Sequence, residues 1–168
     1  MKFCPECGSK LEPAYIDGEK RFVCQKNDCN FIHWNNPIPV VAALVEYNGN
    51  YIIARNSRWP KGIFSVITGY LENREEPERA VIREVKEELG LESKIIHYLG
   101  HYLFSEKNQL ILAFEVKANG NLETNHELAE LKQLTPTELA NYDFSPLYIT
   151  EKIVNAWRRK SRLSKSRL

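Results

Sequence analysis

With 168 residues, 43% of them apolar and 11% aromatic, the chain is long enough to bury one ordinary core and leave a small appendage. Its net charge of +1 hides an uneven distribution: the last twelve residues, "WRRKSRLSKSRL", hold six basic side chains and no acid, so the remainder is acidic on balance. That argues against a general nucleic-acid binder, and the longest apolar run, "IPVVAALV" at 38–45, is too short to cross a bilayer, so no membrane partner is expected.

The opening "MKFCPECG" lacks the apolar region of a secretion signal, and all four cysteines fall within the first 29 residues. Reduced thiols sharing one local task, in a cytoplasmic protein, are therefore expected rather than a disulfide framework. Cys4-Pro-Glu-Cys7 and Cys24-Gln-Lys-Asn-Asp-Cys29, sixteen residues apart, have the two-knuckle layout of a zinc ribbon. Four thiolates would close a tetrahedral, structural Zn²⁺ site. Binding the ion would fold a segment too poor in aliphatic residues to fold alone. The second pair is wider than the common two-residue gap, so His33 in place of one thiolate is an alternative, and four unmetallated thiols another. A redox role lacks the preceding strand that a thioredoxin-like motif needs.

"NNPIP" at 35–39, with two prolines and two asparagines, marks a boundary. It divides a ribbon at 1–34 from a main domain at 35–160, followed by a disordered basic tail at 161–168. "VVAALVEY" and "YIIAR" are β-rich runs joined by Asn48-Gly49-Asn50, a tight hairpin. "IFSVITGYL" reads as a further strand ending near Gly69. Pro77 suits the first turn of a helix and Gly90 its stop, with Val81, Val85 and Leu89 as its core stripe. "KIIHYL" and "QLILAFEVKA" are later strands, and Thr135, Pro136 and Glu138 form a capping box opening a short helix. Ile149, Ile153, Val154 and Trp157 place a closing amphipathic helix before the tail. Strands before and after a central helix suggest an α/β fold with a mixed sheet covered on both faces.

Within the central helix, "REVKEELG" brings Glu84, Glu87 and Glu88 to one side, where they repel one another. The surrounding segment "GYLENREEPERAVIREVKEELGL", residues 69–91, resembles the signature of the Nudix hydrolase family at every fixed position: Gly69, Glu75, Arg83, Glu84, Val85, Glu87, Glu88, Gly90 and Leu91. The resemblance implies a Nudix-type α/β/α sandwich and metal-dependent hydrolysis of a diphosphate. It makes Glu84 and Glu88 ligands of Mg²⁺ or Mn²⁺, hard cations that suit oxygen donors. Glu87 either ligates or stands one shell out, and the backbone carbonyl of Thr68 adds a donor. Arg83 and Glu75 would brace the loop against the helix, and Gly69 and Gly90 would allow backbone angles that a side chain hinders. Glu127, in "HELAEL", resembles a loop glutamate that many members use as ligand or base; the alternative is an ordinary surface acid.

A ribbon ahead of such a domain is similar to two groups, the NADH pyrophosphatases and a set that includes hydrolases of ADP-ribose and FAD. The first carries a Ser-Gln-Pro-Trp-Pro-Phe-Pro motif that is missing from "GHYLFSEKNQLILAF" at 100–114, whereas "DGEKRFVC" and "FSPLYIT" resemble the second. The expected substrate is a nucleoside diphosphate linked to another moiety: ADP-ribose, FAD or NAD(H). An NADH pyrophosphatase or NAD-cap RNA hydrolase is one alternative. A non-catalytic nucleotide sensor or nucleic-acid binder using the ribbon and tail is another. Tyr70, Tyr102, Phe104 and Phe144 are candidate stacking rings, each more often core. Relatives commonly pair as homodimers.

Overall fold

The β-rich runs flanking Asn48 and Gly49 form an antiparallel hairpin in the computed structural model, with both turn residues at positive φ, 52° and 81°. The backbone is described for residues 1–165 and the side chains for residues 1–161. The chain divides into two units, Met1–Pro37 and a larger one from Ile38 onward.

In the first unit, β1 (Leu11–Ile16), β2 (Glu19–Cys24) and β3 (Ile32–His33) form a small antiparallel sheet in that order. Cys4 and Leu11 are its only fully buried hydrophobic residues among those described. Apolar burial on that scale cannot offset the chain entropy of about 37 ordered residues.

The second unit runs β4 (Ile38–Tyr47), β5 (Asn50–Asn56), β6 (Ile67–Tyr70), α1 (Pro77–Leu89), β7 (Glu92–Phe104), β8 (Gln109–Asn119), β9 (Leu128–Leu134), α2 (Pro136–Asn141) and α3 (Tyr148–Lys165). The sheet order is β7-β8-β4-β5-β9, with β6 paired to β4. β4 and β8 run parallel and the other pairs antiparallel, so the sheet is mixed. Because side chains alternate across a strand, β4 feeds two cores. Val40, Ala42 and Leu44 pack with Leu139, Ile153 and Trp157 of α2 and α3, while Val41, Ala43 and Val45 pack with Val81, Val85 and Leu89 of α1. This is the expected α/β/α layering.

Helix α1 starts with Pro77 in its first turn and stops at Gly90, whose φ of 69° is left-handed and whose N–H donates to the Lys86 carbonyl. At the other helix start, the Thr135 hydroxyl accepts from the Glu138 N–H and the Glu138 carboxylate accepts from the Thr135 N–H, completing the capping box.

Four details differ from the sequence reading. β4 begins at Ile38 and includes Pro39, so strand starts inside the supposed boundary. "IFSVITGYL" is not one strand: Ser65 makes an isolated bridge to Ala54, and regular pairing resumes at Ile67. "LAELKQL" pairs with β5 as edge strand β9, although its exposed, charged positions carry no strand pattern. Finally, α3 continues to Lys165, through residues expected as tail, and residues 166–168 lie outside the described ones.

Candidate active site

Gly69 sits on β6 opposite Val41, and a Cβ built there would lie 1.8 Å from Cδ and 2.0 Å from Oε1 of Glu84. The glycine is required for room. Its φ is not positive, so the expectation that it supplies an unusual backbone angle is corrected; that reason holds for Gly90 instead.

Arg83 is the hub of the adjoining loop. Its Nε and Nη2 donate to the two oxygens of Glu75, each at 2.8 Å, and Nη2 also donates to the Tyr70 carbonyl at 3.1 Å. Nη1 donates to Glu84 at 2.8 Å and Glu87 at 3.0 Å. The fork geometry of guanidinium lets one side chain serve three carboxylates. Its hydrogen bonds hold the Glu75 carboxyl down to about 2.

Glu88 has no such partner. It is 6% exposed, its carboxylate accepts no hydrogen bond from any described residue, and burial, with the charges of Glu84, Glu127 and Glu87 added, pushes its pKa up to about 8. Burial also raises Glu84, against the opposing pull of Arg83.

Glu127 is brought to the same place by a loop fastened to the end of α1. The Glu123 N–H donates to the Leu89 carbonyl and the Asn125 N–H to the Glu88 carbonyl. The Glu127 N–H donates to the Asn125 side chain, and the Glu127 carbonyl accepts from Ser57 at 2.7 Å. Two of the last four α1 carbonyls, those of Glu88 and Leu89, are thereby satisfied by loop amides, as a buried helix end requires.

Glu84, Glu87, Glu88, Glu127 and Thr68 all line one cavity of about 530 Å³, with Gly69 and Arg83. Glu75 and Gly90 stand behind it. No three of the carboxylates gather as tightly as the thiols described below, among the described residues. An open set of this kind fits Mg²⁺ or Mn²⁺, which keep several waters and share their remaining positions with substrate phosphates. The buried, unpartnered Glu88 carboxylate is the observation that favours a cation there.

The sequence reading passed over Arg58, Trp59, Lys107 and Gln109, which line the same cavity. Arg55 fastens the loop that carries Arg58 and Trp59: its guanidinium donates to the Trp59 carbonyl at 2.8 Å while pairing with Glu130 at 2.8 Å. Neither Arg58 nor Lys107 makes an ion pair with a described residue. Of the candidate stacking rings, Tyr70 and Phe104 line the cavity, whereas Tyr102 and Phe144 pack against or within the core on the α2 and α3 side. Loop cations carry no periodicity, and only their convergence in space marks them.

In the first unit, the Sγ atoms of Cys4 and Cys29 are 3.7 Å apart, those of Cys7 and Cys24 3.5 Å, and all four lie within 4.8 Å of one another. A Zn–S tetrahedron has edges of about 3.8 Å. The donor set therefore fits Zn²⁺. His33 is not part of this cluster, so the alternative ligand is not needed.

The Nudix domain family model matches residues 37–152, and a model of the Nudix N-terminal zinc ribbon matches residues 2–35. The chain is 30% identical over 141 residues to the NAD-capped RNA hydrolase NudC of Vibrio atlanticus, covering 83% of this chain and 51% of that protein. It is 32% identical over 133 residues to the mitochondrial NAD(P)H pyrophosphatase NUDT13 of Mus musculus, covering 78% of this chain and 37% of that protein. The chain thus spans about half or less of the length of the curated relatives it matches. Its fold is similar to that of a NUDIX hydrolase from Nitrosomonas europaea, with a TM-score of 0.77 at 23% identity over 92% of this chain and 89% of that one. The E. coli ORF135 protein gives 0.60 at 26% identity over 74% and 90%.

Proposed function

The chain belongs to the Nudix family, with a zinc ribbon ahead of the Nudix domain, and from that premise we propose that it hydrolyses the P–O–P bond of a nucleoside diphosphate linked to a second moiety. The observation that carries this reading is the buried Glu88, its carboxylate unpaired among the described residues, beside Glu84, Glu87 and Glu127 on one wall of a cavity large enough for a nucleotide.

Mg²⁺ or Mn²⁺ would be held by Glu84 and Glu88, with Glu87, Glu127 and the Thr68 carbonyl as further donors, and would supply an activated water and neutralise charge on the departing phosphate. Arg83 holds Glu84 and Glu87 in position and, through Glu75, ties the loop of residues 71–76 to the helix. Gly69 leaves the space that Glu84 occupies. Glu127 has no hydrogen-bond partner on its carboxylate among the described residues, which suits a proton acceptor for attacking water as well as a ligand. Arg58 and Lys107, cations with no carboxylate partner among the described residues, line the cavity and supply positive charge for an anionic substrate. The Cys4, Cys7, Cys24 and Cys29 site would hold structural Zn²⁺.

Candidate substrates are ADP-ribose, FAD and NAD(H). The names of the curated relatives add NAD-capped RNA and NAD(P)H, and the six basic residues among the last twelve of the sequence make a polymer substrate worth including. The test is a panel of these compounds with magnesium and with manganese, products resolved by mass in ¹⁸O-labelled water. Glu88→Gln, which keeps shape and removes charge, should lower turnover by two orders of magnitude or more with the fold intact. Near-normal turnover in that variant would sink the proposal.

A further inference from the structure

The cavity has two chemically different ends. One is the acidic wall on α1 and β6. The other is floored by Val40, Ile111, Ile149 and Phe104 and carries a polar group, the Gln109 side chain. Gln109 opens β8 in register with Ile38 of β4 and Phe104 of β7. From there to Gly69, opposite Val41, is three residues along the sheet and two strand spacings across, a separation on the order of 10 Å in each direction. A ribose and a phosphate fit between the two ends.

Gln109 is 9% exposed, an unusual place for a carboxamide. One of its N–H groups donates to the Tyr70 hydroxyl at 3.1 Å. The other N–H and Oε1 have no partner among the described residues, so a largely buried amide offers an adjacent donor and acceptor to the cavity, with Lys107 two residues away. Solvent still reaches these atoms, so a ligand that displaces it must return matching hydrogen bonds. A planar ring edge with the complementary pair does so, and glutamine on adenine is the standard bidentate match. Phe104 and Tyr70 border the same compartment and present rings for stacking.

We propose that this end of the cavity seats the adenine ring of the substrate and that Gln109, oriented by Tyr70, reads its hydrogen-bonding edge. The assignment rests on the diphosphate hydrolysis proposed above and adds which ring is recognised and by what. Gln109 acts on specificity, through KM, and takes no part in bond cleavage.

The experiment compares kcat and KM for ADP-ribose, whose only base is adenine, with analogues carrying guanine or uracil on the same ribose diphosphate. Wild type should prefer adenine by about tenfold to a hundredfold in kcat/KM. Gln109→Leu should raise KM for ADP-ribose and level the preference, with kcat changed by no more than a few-fold. Tyr70→Phe, at an exposed ring, should move the preference in the same direction by less. A wild type indifferent to the base, or a folded Gln109→Leu that keeps the wild-type ratio, overturns the assignment. So does a Gln109→Leu that slows NADH but not ADP-ribose, which would put nicotinamide there instead. Should wild type cleave no diphosphate at all, the reaction proposed above fails; active enzyme without base discrimination defeats only the adenine assignment.

Discussion

Replacing Gly69 with alanine tests how closely the loop and helix are fitted. The added methyl would lie 1.8 Å from Glu84 Cδ and 2.4 Å from Cγ, about half a normal contact distance, so one of the two must move. β6 is held to β4 by four register pairs from Val40 to Ala43, whereas Glu84 is a side chain with rotatable bonds, and it is Glu84 that should yield. Turning away takes it from Arg83 Nη1, 2.8 Å distant, and from the cavity wall. Overpacking of this kind costs about 1–3 kcal/mol, which in a chain of this size lowers Tm by roughly 3–10 °C. Displacing a positioned group by an ångström or more costs about a hundredfold in rate. Thermal unfolding and kcat/KM for whichever diphosphate is turned over, measured on the same preparation, should therefore show a modest loss of stability beside a large loss of activity. Activity within a few-fold of wild type would mean that Glu84 does not need the place it occupies. Gly90→Ala is the contrast, since its left-handed φ predicts a loss of about 1 kcal/mol through the helix stop.

Other expectations concern charge, metal and packing. Arg83 holds the Glu75 carboxyl near 2, below its ordinary 4.5, so its contribution to stability is full above about pH 4.5 and is lost as pH falls toward 2; Glu75→Gln should flatten that part of the acid-unfolding curve, and an unchanged slope would refute the pairing. Cys4→Ser should lower bound zinc, measured by mass spectrometry of the native protein, and loosen the unit Met1–Pro37; zinc content equal to wild type would exclude Cys4 as a ligand. Glu115, 6% exposed, accepts from Tyr51 at 2.8 Å and Trp157 at 3.1 Å and pairs with His97 Nδ1 at 2.8 Å; Glu115→Leu takes the acceptor from the buried Tyr51 hydroxyl, while Trp157 Nε1 keeps its bond to that hydroxyl at 2.9 Å and His97 reaches solvent, so the substitution should cost about 1–3 kcal/mol in urea unfolding. A loss under 1 kcal/mol would show that these groups find water instead.

What could be read from the sequence followed strong local rules. Asn48-Gly49, Pro77 and Gly90, and the Thr135–Glu138 box each act within a few residues, and each appears where the local chemistry places it. Helical spacing puts Glu84, Glu87 and Glu88 on one side, but it is the resemblance of residues 69–91 to the Nudix signature that marks them as site residues. β9 was not, because an edge strand need not alternate: its residues pair through backbone to β5, and their side chains can all be polar. The role of Gly69 was misread for a related reason, since its neighbour in space, Glu84, is fifteen positions away. Arg58 reaches the cavity from the β5–β6 connection and Lys107 and Gln109 from the β7–β8 connection and the start of β8, and only the folded sheet reveals that they meet.

The sheet also grades the site in rigidity. β4 has a hydrogen-bonded neighbour along all of one edge, β8, and two along the other, β6 and then β5. Its amide protons, from Val41 to Val45, should exchange with deuterium only through global opening. β9 has one neighbour, and the contact between Ser57 and Glu127 hangs from its beginning. Glu84 and Glu88 stand on α1, whose Val81, Val85 and Leu89 pack against this protected strand, whereas Glu127 precedes an edge strand, so the amides around Glu127 should exchange well before those of α1.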